Sequence, residues 1–327
     1  MRAVVTGGAG FIGSHLVERL LAYGHAVTVL DNFTTGRRRN LLSVQHHPQL
    51  VIRRLDVTTV RPEDLAGVDW VFHLAARADI VASIERPLDY HRANVDGTVA
   101  LLEAARQAGV GRFLYAASSS CYGIPRAYPT PETAPLQPQY PYALTKLLGE
   151  MAVLHWGQVY GLPVVSLRLF NIYWPRARST GYGAVLGVFL AQKLANQPMT
   201  LVGDGRQTRD FAFVTDVVEA FVMAAGSEVA GAVFNVGTGQ PVPVRRLAAL
   251  LGGGDTVSLP RRPGEPDRTH ADVSKIARAL GWRPTVSIED GIGIMLEHLD
   301  EWRQAPVWTP AGIERATREW FHYLGPR

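Results

Sequence analysis

Short apolar runs and helical patterns alternate along the first half of the chain. Apolar runs over Met1–Thr6, Ala26–Leu30, Val51–Leu55, Trp70–His73, Phe113–Ala117 and Val164–Leu169 predict buried strands, each too short for a helix and rich in branched or aromatic residues. Helical periodicity covers Ser14–Tyr23, about Ile84–Ala108, and Tyr142–Tyr160. That alternation predicts an α/β fold, a doubly wound parallel sheet with helices on both faces. After Asn171 the order breaks into shorter helices, loops and turns. Residues 1–170 therefore read as one domain, with some later segments returning to it. Residues 171–327 read as a smaller mixed α/β region, with a cleft between the two.

The turn after the first strand reads Gly7-Gly-Ala-Gly10-Phe11-Ile12-Gly13 and runs into a helix. Gly7 permits a tight turn, Gly10 lets the backbone approach a pyrophosphate, and Gly13 lets helix pack on strand. The helix N-terminus then offers N–H groups and a positive dipole end to phosphate. The spacing is Gly-x-x-Gly-x-x-Gly. The second strand ends in Asp31-Asn32, about twenty residues later, where an acid accepts from ribose hydroxyls and repels a 2′-phosphate. The first domain is thus Rossmann-type, and NAD is favoured over NADP. Arg37, Arg38 and Arg39 pull mildly the other way and read first as a solvated helix start. Asp56-Val57 closes the third strand where an adenine edge would lie. Leu74-Ala75-Ala76 follows the fourth, and the small alanines fit a cofactor against the backbone or simple close packing. His73, at a strand end, reads as a packed histidine.

Composition narrows the class. The 327 residues are 47% hydrophobic and 19% charged, enough for a large core. One cysteine, Cys121, excludes an internal disulfide and a Cys-based zinc site, and no metal is expected. The chain has no apolar run near the roughly 18 residues of a membrane span. The start of the first strand at Met1 leaves no room for a signal peptide, so a cytoplasmic setting is expected. A net charge of +4 without a basic tract gives no sign of nucleic acid binding. The proline-rich stretch Ile124–Gln139 reads as a loop, either shaping a site or simply connecting.

Tyr142 and Lys146 lie four residues apart in Pro141-Tyr-Ala-Leu-Thr-Lys146 and share one helix face. A neighbouring ammonium favours phenolate and is expected to draw the tyrosine down from about 10 towards a useful general base.

Together these motifs, with Ser118-Ser-Ser-Cys-Tyr-Gly123, Arg168-Leu-Phe-Asn-Ile-Tyr173, Gly203-Asp-Gly-Arg-Gln-Thr-Arg-Asp-Phe211 and Asn235-Val-Gly-Thr-Gly239, carry a likeness. The chain resembles the extended short-chain dehydrogenase/reductases that act on nucleotide sugars, the epimerase/dehydratase group, to about residue 295. The resemblance implies NAD as cofactor and a nucleotide-diphosphate sugar as substrate, with UDP-sugar first. It implies Tyr142 as the base, Lys146 on the nicotinamide ribose, and Ser118 on the same sugar hydroxyl. Asn94 matches a helix-bound position near the cofactor, though a capping or core-polar role suits it equally. Asn171, Arg209, Arg262 and Glu265 match positions that hold the nucleotide diphosphate and its ribose.

The resemblance also bears on the reaction. Dehydratases of the group carry Asp-Glu after the catalytic Ser or Thr, and decarboxylases usually keep a Glu at the second position. Here Ser119 and Ser120 stand there, as in many 4-epimerases. A UDP-glucose 4-epimerase is implied, with UDP-glucuronate next because Arg176, Arg178 and Ser179 could meet a carboxylate or form a solvated loop. Trp174 replaces a usual glycine and either lines the sugar pocket or covers it. Trp302, Trp308 and Trp320 lie beyond the familiar pattern and read as packing residues. The helices near 84–108 and 142–160 resemble those that pair two subunits, so a homodimer is expected.

Overall fold

The computed structural model describes residues 1–174, 176–177 and 185–325. Numbered along the chain, the strands are β1 (Arg2–Thr6), β2 (Ala26–Asp31), β3 (Leu50–Arg54), β4 (Trp70–His73), β5 (Arg112–Ser118) and β6 (Val164–Leu169). There follow β7 (Asn171–Tyr173), β8 (Met199–Val202), β9 (Thr208–Arg209), β10 (Phe211–Phe213), β11 (Ala232–Val236), β12 (Val242–Pro243) and β13 (Thr256–Leu259). Seven of them form one parallel sheet in the order β11-β6-β5-β4-β1-β2-β3. The order reverses beside β1, and a doubly wound sheet opens a crevice at the carboxyl ends of its strands at such a point.

Alternation along each strand divides the core. Val5, Val29, Phe72, Leu114 and Leu167 face α1 (Phe11–Ala22) on one side of the sheet. Val4, Leu30, Val71, Phe113 and Val164 face the other, covered by helices over 80–108 and 141–160. The expected single helix over Ile84–Ala108 is in fact α2 (Ile80–Glu85), α3 (Pro87–His91), one π-turn at Arg92–Asp96 and α4 (Gly97–Ala108). Pro87 causes the break: its ring disfavours helical geometry at Arg86, which takes φ −134° and ψ 60°. Asp79 caps α2 by accepting from the Ala82 N–H at 3.3 Å. The next helix, α5 (Pro141–Tyr160), opens with proline at its first turn, where the missing N–H costs nothing.

The second half supplies α6 (Val185–Leu194), α7 (Val214–Gly226), α8 (Val244–Leu250), α9 (Ser274–Leu280), α10 (Ile288–Glu297), α11 (Pro310–Ala316) and α12 (Arg318–Leu324). Of these, α7 joins the core face that holds α1, through Val217, Ala220 and Phe221, while β11 pairs with β6 at the sheet edge. A separate core unites Phe189, Met199, Phe211, Phe213, Leu247, Met295 and Trp302. No helix among the described residues is long and apolar enough to cross a membrane.

Candidate active site

A cavity of about 840 Å³ opens at the carboxyl ends of β1, β2, β4, β5 and β6 and runs into the second half. Gly7, Gly10, Phe11, Ile12, Gly13, Asp31, Asn32, Asp56, Val57, Leu74, Ala75 and Ala76 line its first end. Ser118, Tyr142 and Lys146 line the middle, and Asn171, Arg209, Arg262 and Glu265 the far end. Of the described residues assigned from sequence to the cofactor, the catalytic group or the nucleotide, Asn94 is the one absent from the lining. Its Oδ1 accepts from Arg77 N at 2.8 Å, and its Nδ2 donates to Arg77 O and to Thr145 Oγ1, both at 3.0 Å. Asn94 therefore takes the core-polar role, tying the loop after β4 to α5.

The first end suits a dinucleotide. Gly7 has φ +68°, and a side chain there would meet Ala75 N at 2.8 Å. A Cβ on Gly13 would overlap the Gly7 carbonyl oxygen, so helix and turn touch only because neither carries a side chain. Gly10 caps α1 without a side-chain hydrogen bond, leaving its first-turn N–H groups for phosphate. Asp31 accepts from Ala9 N at 3.0 Å and Phe33 N at 2.8 Å, fixing its carboxylate at the end of β2. Burial pushes that carboxyl up, against the pull of the two N–H groups. Asn32 Nδ2 donates to Asp56 Oδ2 at 2.7 Å, joining the ends of β2 and β3. This is a cradle that NAD fits. Arg37 donates to the Arg176 carbonyl at 2.9 Å and Arg38 lies over the Phe33 ring, so both make packing contacts beyond a solvated helix start.

In the middle, Ser118 ends β5 and its Oγ lies 2.8 Å from Ser120 Oγ. Tyr142 is half-buried in the cavity wall; desolvation pushes its phenol up while the Ser118 hydroxyl draws it back. The downward shift expected from Lys146 is not found in the protein alone: the net shift of the phenol is upward, with desolvation its largest cause. Burial also lowers Lys146, to about 7, against the carboxylate of Glu150. Its Nζ stands over the Tyr115 ring, 4.3 Å from the centroid. Lys146 is therefore poised to change charge near neutrality, whereas the Tyr142 phenol keeps its proton there in the protein alone.

Glu150, one turn beyond Lys146 on the same buried face, was not anticipated. It accepts from Arg168 Nη2 at 2.6 Å and from Ser166 Oγ at 2.8 Å. Arg168 Nη1 donates to Tyr122 Oη at 2.8 Å, and Tyr122 donates to Asn235 Oδ1 at 2.7 Å. This chain links α5, β6, the turn after Ser118 and β11. Spacing alone could have flagged Glu150, eight residues after Tyr142, but its partners come from other strands. His73 is packed as expected. Thr98 Oγ1 donates to Asn94 O, so His73 Nε2 donates to Thr98 Oγ1 at 2.9 Å and its Nδ1 accepts from Thr6 Oγ1 at 2.8 Å. Cys121 is a buried free thiol that burial pushes up to about 12, an inert small residue.

At the far end one carboxylate holds two guanidinium groups: Glu265 meets Arg262 at 2.9 Å and Arg209 at 3.6 Å. Asn171 Oδ1 accepts from Thr269 at 3.2 Å. Arg176 points elsewhere than a sugar: its Nη2 meets Glu18 at 2.8 Å and its Nη1 lies 3.4 Å from Ser14 Oγ. Arg178 and Ser179 lie outside the described residues. Trp174 packs against Phe213, His15 and His298 and covers the core instead of lining the cavity. Trp320, read from sequence as a packing residue, and Tyr140, not singled out there, both line the cavity. Among the described residues no group of three or more His, Cys, Asp or Glu could hold a metal.

The sequence model of the NAD dependent epimerase/dehydratase family matches residues 3–237. The chain belongs to that family. It is thus an NAD-dependent enzyme. Among curated relatives, the UDP-glucose 4-epimerase of Mycolicibacterium smegmatis is 39% identical over 309 residues, 91% of this chain and 98% of the relative. A Thermotoga maritima UDP-glucose 4-epimerase, solved with UDP-glucose, superposes with a TM-score of 0.85 at 32% identity, covering 92% of this chain and 99% of that one. A Bacillus cereus UDP-glucuronic acid 4-epimerase, solved with UDP-glucuronic acid and NAD, gives 0.86 at 31% identity, with coverage of 92% and 99%. These neighbours share the seven-stranded parallel architecture described above.

Proposed function

We propose that this protein is a nucleotide-sugar 4-epimerase of the UDP-glucose/UDP-galactose type, with residues 1–170 and the returning segments holding NAD and residues 171–327 holding the nucleotide sugar. The observation that carries the reading is the stretch after β5. Ser118 and Tyr142 line the same stretch of the cavity, and the next two lining residues after Ser118 are Ser119 and Ser120. Elimination or decarboxylation would need an acid or base there, and serine hydroxyls do neither usefully near pH 7. The cavity's carboxylates, Asp31, Asp56, Asp79, Asp89 and Glu265, come from other stretches of the chain.

In the forward half-reaction Tyr142 accepts the proton of the sugar C4 hydroxyl while Ser118 holds that oxygen. Bound NAD supplies the hydride acceptor and later the donor, and its positive charge in the cavity favours the Tyr142 phenolate. Lys146 stabilises the same phenolate. Arg209 and Arg262 grip the diphosphate by their forked N–H groups, and Glu265 orients both. Inversion at C4 would require the 4-keto sugar to present its opposite face before reduction, and Tyr142 would then give the proton back to the C4 oxygen. The binding of Arg176 by Glu18 favours a neutral hexose over a uronate, since that guanidinium is committed to α1.

A homodimer is part of this proposal. Leu88 is 83% exposed, and Leu144, Met151, Val159 and Tyr160 leave apolar surface on the outer side of α3 and α5. The free buried thiol suits a reducing cytoplasm. Tyr142→Phe removes the proton acceptor and keeps the ring. It is expected to lower kcat by about 10²–10⁴-fold with unchanged melting temperature; near-normal kcat would refute Tyr142 as the base.

A further inference from the structure

We propose that Trp320 is a positioning residue for nucleotide diphosphate: through it the C-terminal helix α12 fixes the Arg262–Glu265 loop against the start of α5. The inference rests on the UDP-sugar reading above. The family match ends at residue 237, well before this helix.

Trp320 is 1% exposed, yet its ring forms part of the cavity wall beside Arg262 and Glu265. Its Nε1 donates to the Pro263 carbonyl at 2.7 Å. The Arg262 guanidinium carbon lies 5.8 Å from its ring centroid. On its other side the ring is 5.8 Å from that of Tyr140. Tyr140 precedes Pro141 at the start of α5, two residues before Tyr142, and lines the cavity with Ser120. One indole thus touches the loop that carries the phosphate-binding arginine and the turn that leads into the catalytic tyrosine.

Between β13 and α9, β-bridges hold the chain at Arg268 and Ala271, but residues 260–266, which carry Arg262 and Glu265, have no helix, strand or bridge of their own. Binding through arginine forks depends on how little freedom the forks lose, so an anchored loop binds an anion more tightly than a free one. Pro263 lacks an N–H, and its carbonyl is the group that Trp320 fixes. Below, α12 rests on α2 and Thr317 Oγ1 donates to Ile313 O at 2.8 Å, so the anchor is itself braced.

Two variants test this, Trp320→Ala and Trp320→Phe, each checked by melting temperature and NAD content. Calorimetric titration with UDP, and separately dTDP, reads binding without turnover. Trp320→Ala is expected to weaken UDP about tenfold and raise KM for UDP-sugar similarly, with a smaller fall in kcat because Ser118, Tyr142 and Lys146 stay in place. Trp320→Phe keeps the ring and loses the N–H, and is expected to weaken UDP about threefold; it decides alone should the Ala variant fail to fold. Wild-type affinity in a folded variant overturns the role. Wild-type protein that binds neither UDP nor dTDP overturns the UDP-sugar reading together with it, which the silent wild type makes recognisable.

Discussion

At the residue scale, His73 is held as a neutral ring between two threonine hydroxyls. Burial, with the nearby Lys146, pulls it to about 3. His15, behind Trp174, is likewise lowered to about 3 by burial and by Arg176. Both rings charge in the unfolded chain near 6.5 and not in the folded one, so the unfolded state binds more protons between about pH 6.5 and 3. Stability therefore falls as pH drops through that window. Denaturant titrations of His73→Gln and wild type between pH 6 and 4 should differ in slope by about one proton, roughly 1.4 kcal/mol per pH unit, with wild type the steeper. Equal slopes would show that His73 titrates in the folded state. The packing of His73 was legible from its place at a strand end. Its two threonine partners were not, because Thr98 sits on a helix that the strand pattern does not locate.

At the element scale, the β1–turn–α1 unit was legible because its chemistry is local: strand, glycines and acid stand in register within about thirty residues. Gly13→Ala tests why glycine is required. The added methyl overlaps the Gly7 carbonyl, so helix or turn must shift. The variant is expected to lose about 1–3 kcal/mol of stability and most of its bound NAD, read by thermal unfolding and by the nucleotide released on denaturation. Full NAD content at unchanged stability would contradict the close approach. The helical region after β4 was less legible. Apolar periodicity runs through Pro87, and only the backbone shows that it is four pieces beginning at Ile80. On α5, Tyr142, Lys146 and Glu150 recur at four-residue spacing on one face, half-buried at Tyr142 and buried at Lys146 and Glu150. The first two were evident from the motif, while Glu150 gains its meaning from Arg168 across the sheet.

At the scale of the whole molecule, the cleft gathers residues from nearly the full length of the chain. In the proposed reading the cofactor end comes from the ends of β1, β2, β3 and β4, the reacting centre from β5 and α5, and the anion end from Asn171 and segments beyond it. The family motifs mark most of those stretches in order, which is why so much of the lining could be anticipated. Trp320 could not: no periodicity or spacing relates it to Pro263, 57 residues earlier, or to Tyr140. The central claim is reversal at sugar C4 with the hydride kept in the site. The most direct measurement is an NMR-monitored incubation of purified protein with UDP-glucose and no added NAD. The account predicts that the C4 epimer appears and that the same mixture is reached from UDP-galactose. A keto or decarboxylated product, or consumption of nicotinamide in step with turnover, would contradict it.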